Sequence, residues 1–209
     1  MAFHRPWSVR DHARAERSEF ADLAAVLTPE QWAAPSRCPG WSVRDVVAHT
    51  VIYLGQSRSG LTLNMIRSHW NVDCLNADGL REHPDLTADR LVALLRSDAE
   101  PTGAAALYGC RVALIECLVH QQDVRRPLAL TRTIPEDRLR ASLNFARHSP
   151  VIGGARRTRG VRLVATDTEW SAGHGRAVFG TGEALLLTMT GRADSVAGEL
   201  TGDGVALLR

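Results

Sequence analysis

Residues 113–128 read ALIECLVHQQDVRRPL, and they set Glu116, His120 and Asp123 inside a stretch otherwise apolar enough for a protein interior. On a helix turning about 100° per residue these three fall within an arc of roughly 60°, so they share one face. Val112 and Val119 lie beside that arc, which puts the polar line along the edge of the apolar stripe and turns it inward. A carboxylate there is costly unless it is paired or bound to a metal. A second candidate is His49 in VVAHTVIY (46–53), on one helical face with Val46 and Tyr53. Two histidines and a carboxylate make a usual three-ligand set for a catalytic divalent metal and leave positions for water or substrate. Glu116 and His120 have the i, i+4 reach needed for one ion, and a facing helix carrying His49 would complete it. The same spacing also suits a structural Glu–His pair, and His49 alone suits a hydrogen-bonded core histidine. Asp123 either accepts a hydrogen bond from a metal-bound histidine or water, or pairs with Arg126 at i, i+3. Both uses make it a supporting residue in preference to a ligand.

The elements that must position these groups are mostly helical. Ser8 caps a first helix running to about Leu27, with Phe20, Leu23 and Leu27 at helical spacing. In CPGWSVRDVVAHTVIYL, Ser42 and Asp45 form a capping box, and Trp41 is placed to staple onto Val46. That helix carries His49 and Tyr53 and extends toward Trp70, against the resistance of Gly55 and Gly60. Asn71 to Pro84 reads as a linking segment. Thr87 opens a third helix that stops before Pro101, and the fourth runs from the Thr102-Gly103 turn to about Arg126, where Pro127 ends it. A shorter helix is expected over Glu136 to His148. Beyond Pro150 the texture changes: GVRLVATD alternates like a strand, SAGHGR makes a turn that holds His174, GEALLLTMTGR is an apolar helix closed by Gly191, and ELTGDGVALLR adds a final strand. The expected fold class is mainly α with a small α+β part. Residues 1–150 would form a four-helix bundle and residues 151–209 a small α+β module.

Composition excludes several classes of function. The chain has 209 residues, 44% of them hydrophobic, and can bury a substantial core. A net charge of +2 supplies no strong pull toward nucleic acid or an anionic membrane, and RRTRGVR (156–162) reads as a solvated segment. No apolar run approaches the ~18 residues that span a bilayer. The opening MAFHRPWSVR does not resemble a secretory signal, and Cys38, Cys74, Cys110 and Cys117 contain no C-x-x-C pair, so a soluble cytoplasmic protein with reduced thiols is expected. Cys38 and Cys117 read as structural. All 25 Lys and Arg residues are arginine, a bias that suggests a GC-rich bacterial genome.

WAAPSRCPGWSVRDVVAHT (32–50), ECLVHQQDVRRPL (116–128) and the tail VRLVATDTEWSAGHG … GTGEALLLTMTGR … LTGDGV resemble the mycothiol-dependent maleylpyruvate isomerase family of actinobacteria. The resemblance covers nearly the whole chain, with the three blocks in the family's order. It implies a DinB-like four-helix bundle followed by a C-terminal α+β module. It also implies a divalent metal, usually zinc, held by His49, Glu116 and His120, and mycothiol as the thiol the metal activates. A metal-bound thiol is deprotonated at neutral pH and becomes a nucleophile. In the family's isomerase the thiolate adds to the cis double bond of maleylpyruvate, rotation follows, and expulsion of the thiol leaves fumarylpyruvate. A C-terminal arginine is implicated there, and Arg192 is its best match; the other reading of Arg192 is a helix C-terminal cation balancing the dipole. The partners so implied are mycothiol and a small electrophile, in a monomer or small homo-oligomer. Fold and metal site can persist while chemistry changes, so a mycothiol S-transferase and a non-catalytic metal- or thiol-binding bundle stand beside the isomerase.

Overall fold

The computed structural model describes residues 7–208; the first six residues, on which the reading of MAFHRPWSVR partly rests, and Arg209 lie outside the described residues. The chain forms two compact units, residues 1–131 and 132–209.

The first unit holds α1 (Val9–Ala25), α2 (Pro29–Ala33), α3 (Val43–Gly55), α4 (Arg58–Arg67), α5 (Val72–Glu82), α6 (Ala88–Ser97) and α7 (Arg111–Arg125). Helices α1 and α3 each pack against both α6 and α7, which closes a four-helix bundle. Phe20, Leu91, Leu95, Leu114 and Leu118 are fully buried at its centre. The capping boxes read from the sequence form: Ser8 with Asp11 opens α1, and Ser42 with Asp45 opens α3, each side chain bonding the other's backbone N–H. Removing the second cap, Ser42→Ala, is expected to lower stability by about 1 kcal/mol, measured by urea denaturation. An unchanged midpoint would deny the cap its part in fixing α3.

Three stretches differ from the sequence reading. Helix α3 stops at Gly55, because Gln56 is extended and Ser57 caps the separate helix α4. Asn71 to Pro84 is not a linker: the Asn71 side chain accepts hydrogen bonds from the backbone N–H groups of Asp73 and Cys74 and opens α5. Helix α7 starts at Arg111, several residues later than expected. Tyr108, Gly109 and Cys110 all have positive φ, a left-handed run that a right-handed helix cannot include. Ahead of them Ala104 N–H donates to Gln56 O at 2.9 Å, which ties this irregular segment to the end of α3.

The second unit contains α8 (Glu136–His148), α9 (Gly154–Arg157), β1 (Val161–Ala165), β2 (Ser171–Gly173), β3 (Arg176–Gly180) and α10 (Gly182–Met189). Helix α8 packs on α9 and α10, so the division falls at 131/132, whereas the change of texture at Pro150 suggested 150/151. The close approach has a local cause: a Cβ on Gly182 would lie 2.8 Å from Leu139 Cδ2 of α8. The sheet has the order β2-β1-β3, with β1 antiparallel to β2 and parallel to β3. The turn holding the exposed His174 therefore crosses the start of β1. Gly175 permits this, since a Cβ there would meet Gly160 O at 2.2 Å. The closing segment is not a strand. It makes one bridge, Phe179 to Thr201, and then a short 3-10 helix at Val205–Leu207, because Gly202 turns the chain at φ 103°. No helix among the described residues is long and apolar enough to cross a membrane.

Candidate metal centre

Helices α3 and α7 are neighbours in the bundle, and their facing sides carry the candidate ligands. His49 and His120 are buried, and the Glu116 side chain keeps 24% of its exposure. Glu116 Oε2 lies 3.2 Å from His120 Nε2 and 3.8 Å from His49 Nε2. The two imidazoles meet edge to face with centroids 5.0 Å apart. One ligating atom from each residue lies within 4.8 Å of the others, a spacing that suits a single ion. The partial exposure of Glu116 leaves this cluster open on one side, as an ion that also binds a ligand requires.

Asp123 completes the line one turn further along α7. Its Oδ2 is 2.9 Å from His120 Nδ1, and the residue is 1% exposed. With the carboxylate ionised, Nδ1 carries a proton, which leaves Nε2, the atom facing Glu116, as the nitrogen that holds either a proton or an ion. Asp123 thus bonds His120, the histidine that its position on α7 suggested it could orient. The backbone of the same residue accepts from Arg37 N–H at 2.9 Å, and its Oδ2 accepts from the Cys38 thiol at 3.3 Å. Cys38, read from the sequence as structural, therefore lies beside the site, and Cys38, His120 and Asp123 form a second cluster of ligand-type atoms. Nothing local announced this contact between residues 85 positions apart. The available signal was only that the C-P-G-W loop leads straight into the helix bearing His49. Cys117 is in the core as expected.

The charges fit a proton or a cation between the ligands. Burial alone would push the Glu116 carboxyl up, but hydrogen bonds from His120 and His49 hold it well below its ordinary value of 4.5. Burial would push His120 down, yet Asp123, Cys38 and Glu116 hold it well above 6.5. In the metal-free protein Glu116 is thus anionic and His120 cationic, and that cationic proton stands where a divalent ion would bind.

Aromatic rings wall in His49. Trp41, expected as a staple, has its ring 5.2 Å from the His49 ring, and Tyr53 stacks on His49 at 5.7 Å. From the opposite side, Gln121 of α7 donates to Glu16 Oε1 of α1 at 2.6 Å, a buried bond that fixes the rotation of α7.

Residues 13–125 match the sequence profile of the mycothiol maleylpyruvate isomerase N-terminal domain. The chain belongs to the mycothiol maleylpyruvate isomerase family. Two solved structures share its fold. One is a histidine-to-alanine mutant of the mycothiol-dependent maleylpyruvate isomerase, at TM-score 0.62 and 14% identity, with 93% of this chain and 91% of that one covered. The other is the mycothiol-dependent maleylpyruvate isomerase itself, at TM-score 0.53 and 16% identity over the same shares. No curated protein sequence matches the chain.

Within this family fold, His49 and Tyr53 also border a cavity of about 390 Å³ among α3, α4, α5 and α6, a volume in the range of small-ligand sites. Burial, followed by the charge of Glu116, pushes the Tyr53 phenol up to about 12, so it stays a hydrogen-bond donor at neutral pH. Arg192, in the second unit, donates from Nη1 to Thr190 O at 2.7 Å, while its backbone N–H bonds Leu187 O. Both bonds lie at the C-terminal end of α10.

Proposed function

We propose that this member of the family is a metal-dependent enzyme that uses a metal-activated mycothiol thiolate for cis–trans isomerisation of an activated double bond. The observation that carries this reading is the convergence of His49, Glu116 and His120, with the His120 tautomer set by Asp123. The donor set of two imidazoles and one carboxylate suits zinc. A zinc ion bound there would supply a thiolate at neutral pH by lowering the thiol pKa.

The chain's own residues prepare that chemistry. Glu116 contributes the single negative charge, which leaves a divalent ion with a net positive charge to hold an anionic sulfur. Trp41 and Tyr53 shield His49 from water, and Asp123 keeps His120 from rotating. We assign Arg192 the role of pairing with a substrate carboxylate. Arg192→Ala is expected to raise KM roughly tenfold through loss of a charged hydrogen bond, with partial recovery in Arg192→Lys. A change in stability with KM unmoved would leave Arg192 only its place at the end of α10.

The deciding experiment incubates zinc-loaded protein with mycothiol and maleylpyruvate and follows both thiol and product. Fumarylpyruvate formed with the thiol regenerated supports isomerisation. Thiol consumed into a stable adduct means S-transfer from the same site, and no thiol-dependent reaction with any electrophile ends the enzymatic reading.

A further inference from the structure

His120 presents two ring nitrogens, and each looks into a different set of ligand atoms. Its Nε2 faces Glu116 at 3.2 Å, whereas its Nδ1 lies 2.9 Å from Asp123 Oδ2, which in turn lies 3.3 Å from Cys38 Sγ. The three ligand atoms of Cys38, His120 and Asp123 all fall within 4.8 Å of one another. Metal–ligand bonds of about 2.0–2.3 Å at tetrahedral angles set neighbouring ligand atoms about 3.3–3.6 Å apart, so an opening of about half an ångström seats an ion among them.

The loop that carries Cys38 is tied down at this position. Ser36 Oγ accepts from the Cys38 N–H at 3.1 Å and donates to Trp41 O at 2.8 Å, Trp41 N–H returns to Cys38 O at 3.0 Å, and Gly40 makes the turn at φ 78°. Arg37 N–H fastens the same loop to Asp123 O at 2.9 Å. Asp123 and His120 are buried while Cys38 is half-buried, so the sulfur marks the side from which an ion enters. The donor set also differs in kind from that of the first centre. There two imidazoles meet one carboxylate; here a thiol stands with one imidazole and one carboxylate, and a thiolate selects soft cations.

We propose that Cys38, Asp123 and His120 Nδ1 form a second metal centre for a soft, thiolate-seeking cation, and that an ion bound there excludes the ion held by His49, Glu116 and His120. The ion displaces the Cys38 thiol proton and the Nδ1 proton to solvent. A neutral imidazole has one lone pair to give, so binding at Nδ1 leaves Nε2 protonated and donating to Glu116. The first centre thereby loses one of its two histidines. A soft cation acts as its inhibitor without using His49 or Glu116 as a ligand. Zinc, which two imidazoles and a carboxylate serve well, remains with the first centre.

The test uses neither mycothiol nor activity, so its failure is separate from failure of the thiol-activation reading. Cadmium is the probe, and a Cys74→Ser background removes the exposed thiol. Metal-free protein titrated with cadmium is expected to develop the ultraviolet cadmium–thiolate charge-transfer band, saturating at about one ion per chain. The band persists in His49→Ala, which lacks the first centre, and is lost in Cys38→Ser, both variants being checked for folding by circular dichroism. In zinc-loaded protein the band grows as zinc is released one for one, read with a chromophoric chelator. Cadmium bound without a sulfur band, or a band of equal strength in folded Cys38→Ser, overturns the second centre. A Cys38-dependent band that forms while zinc is retained overturns the exclusion.

Discussion

Glu116→Gln is expected to leave the protein unable to retain zinc. The substitution keeps volume and shape but removes the one negative charge among the ligands, and an amide oxygen is a poor ligand for zinc. Affinity should fall by more than the ~10–100-fold that loss of a supporting hydrogen bond costs. Metal analysis after dialysis against a weak chelator would show about one zinc per chain in the wild type, since the two ligand clusters share His120, and almost none in the variant. Equal metal content in the two proteins would remove Glu116 from the site.

The same change has a consequence without metal. Glu116 is held below its ordinary 4.5, so its contribution to stability is present above that value and is lost as pH falls through the lowered one. His120 is held above its ordinary 6.5, so its contribution is complete below that value and is lost as pH rises through the raised one. The pair therefore supports the metal-free fold most fully between these ordinary values. In chelator, Glu116→Gln should cost about 2 kcal/mol near pH 5.5, the worth of a charged hydrogen bond. The cost should shrink in strong acid. Zinc competes with the His120 proton, so its affinity for the wild type rises with pH over the range where metal-free His120 would hold that proton.

Asp123→Ala is the second large effect. It removes the acceptor for His120 Nδ1 and the partner of the Cys38 thiol together. The imidazole can then rotate or move its proton to Nε2, the atom that faces Glu116. Zinc affinity is expected to fall ~10–100-fold while the bundle still folds. Asp123→Asn, whose amide oxygen can still accept from Nδ1–H, should lie between the alanine variant and the wild type. A competition titration with a chromophoric chelator measures all three proteins. If Asp123→Ala binds zinc as the wild type does while His120→Ala does not, Asp123 has no part in orienting the histidine.

Much of this was legible along the chain because it is local. Helical phase placed Glu116, His120 and Asp123 on one face and His49 with Tyr53 on another, and the Ser42–Asp45 box marked where α3 begins. The family resemblance added the ligand assignment, and the profile match and shared fold established the family. Other features escaped for physical reasons. Helix α5 is opened by Asn71, a cap that also reads as a turn residue. The start of α7 is delayed by left-handed Tyr108 and Cys110, residue types that rarely adopt that conformation. Cys38 gains its meaning only from Asp123, far away in sequence.

The sequence by itself determined which groups exist and which helical face each occupies, since side-chain chemistry, capping and a 3.6-residue period act over a few residues. The tertiary structure decided that α3 and α7 lie close enough for His49 to come within 3.8 Å of Glu116, and that the loop before α3 folds onto Asp123. Helical phase gives the direction of a side chain; the distance it must cross is set by how the helices and loops pack, here by the apolar core of the bundle and the buried Glu16–Gln121 bond.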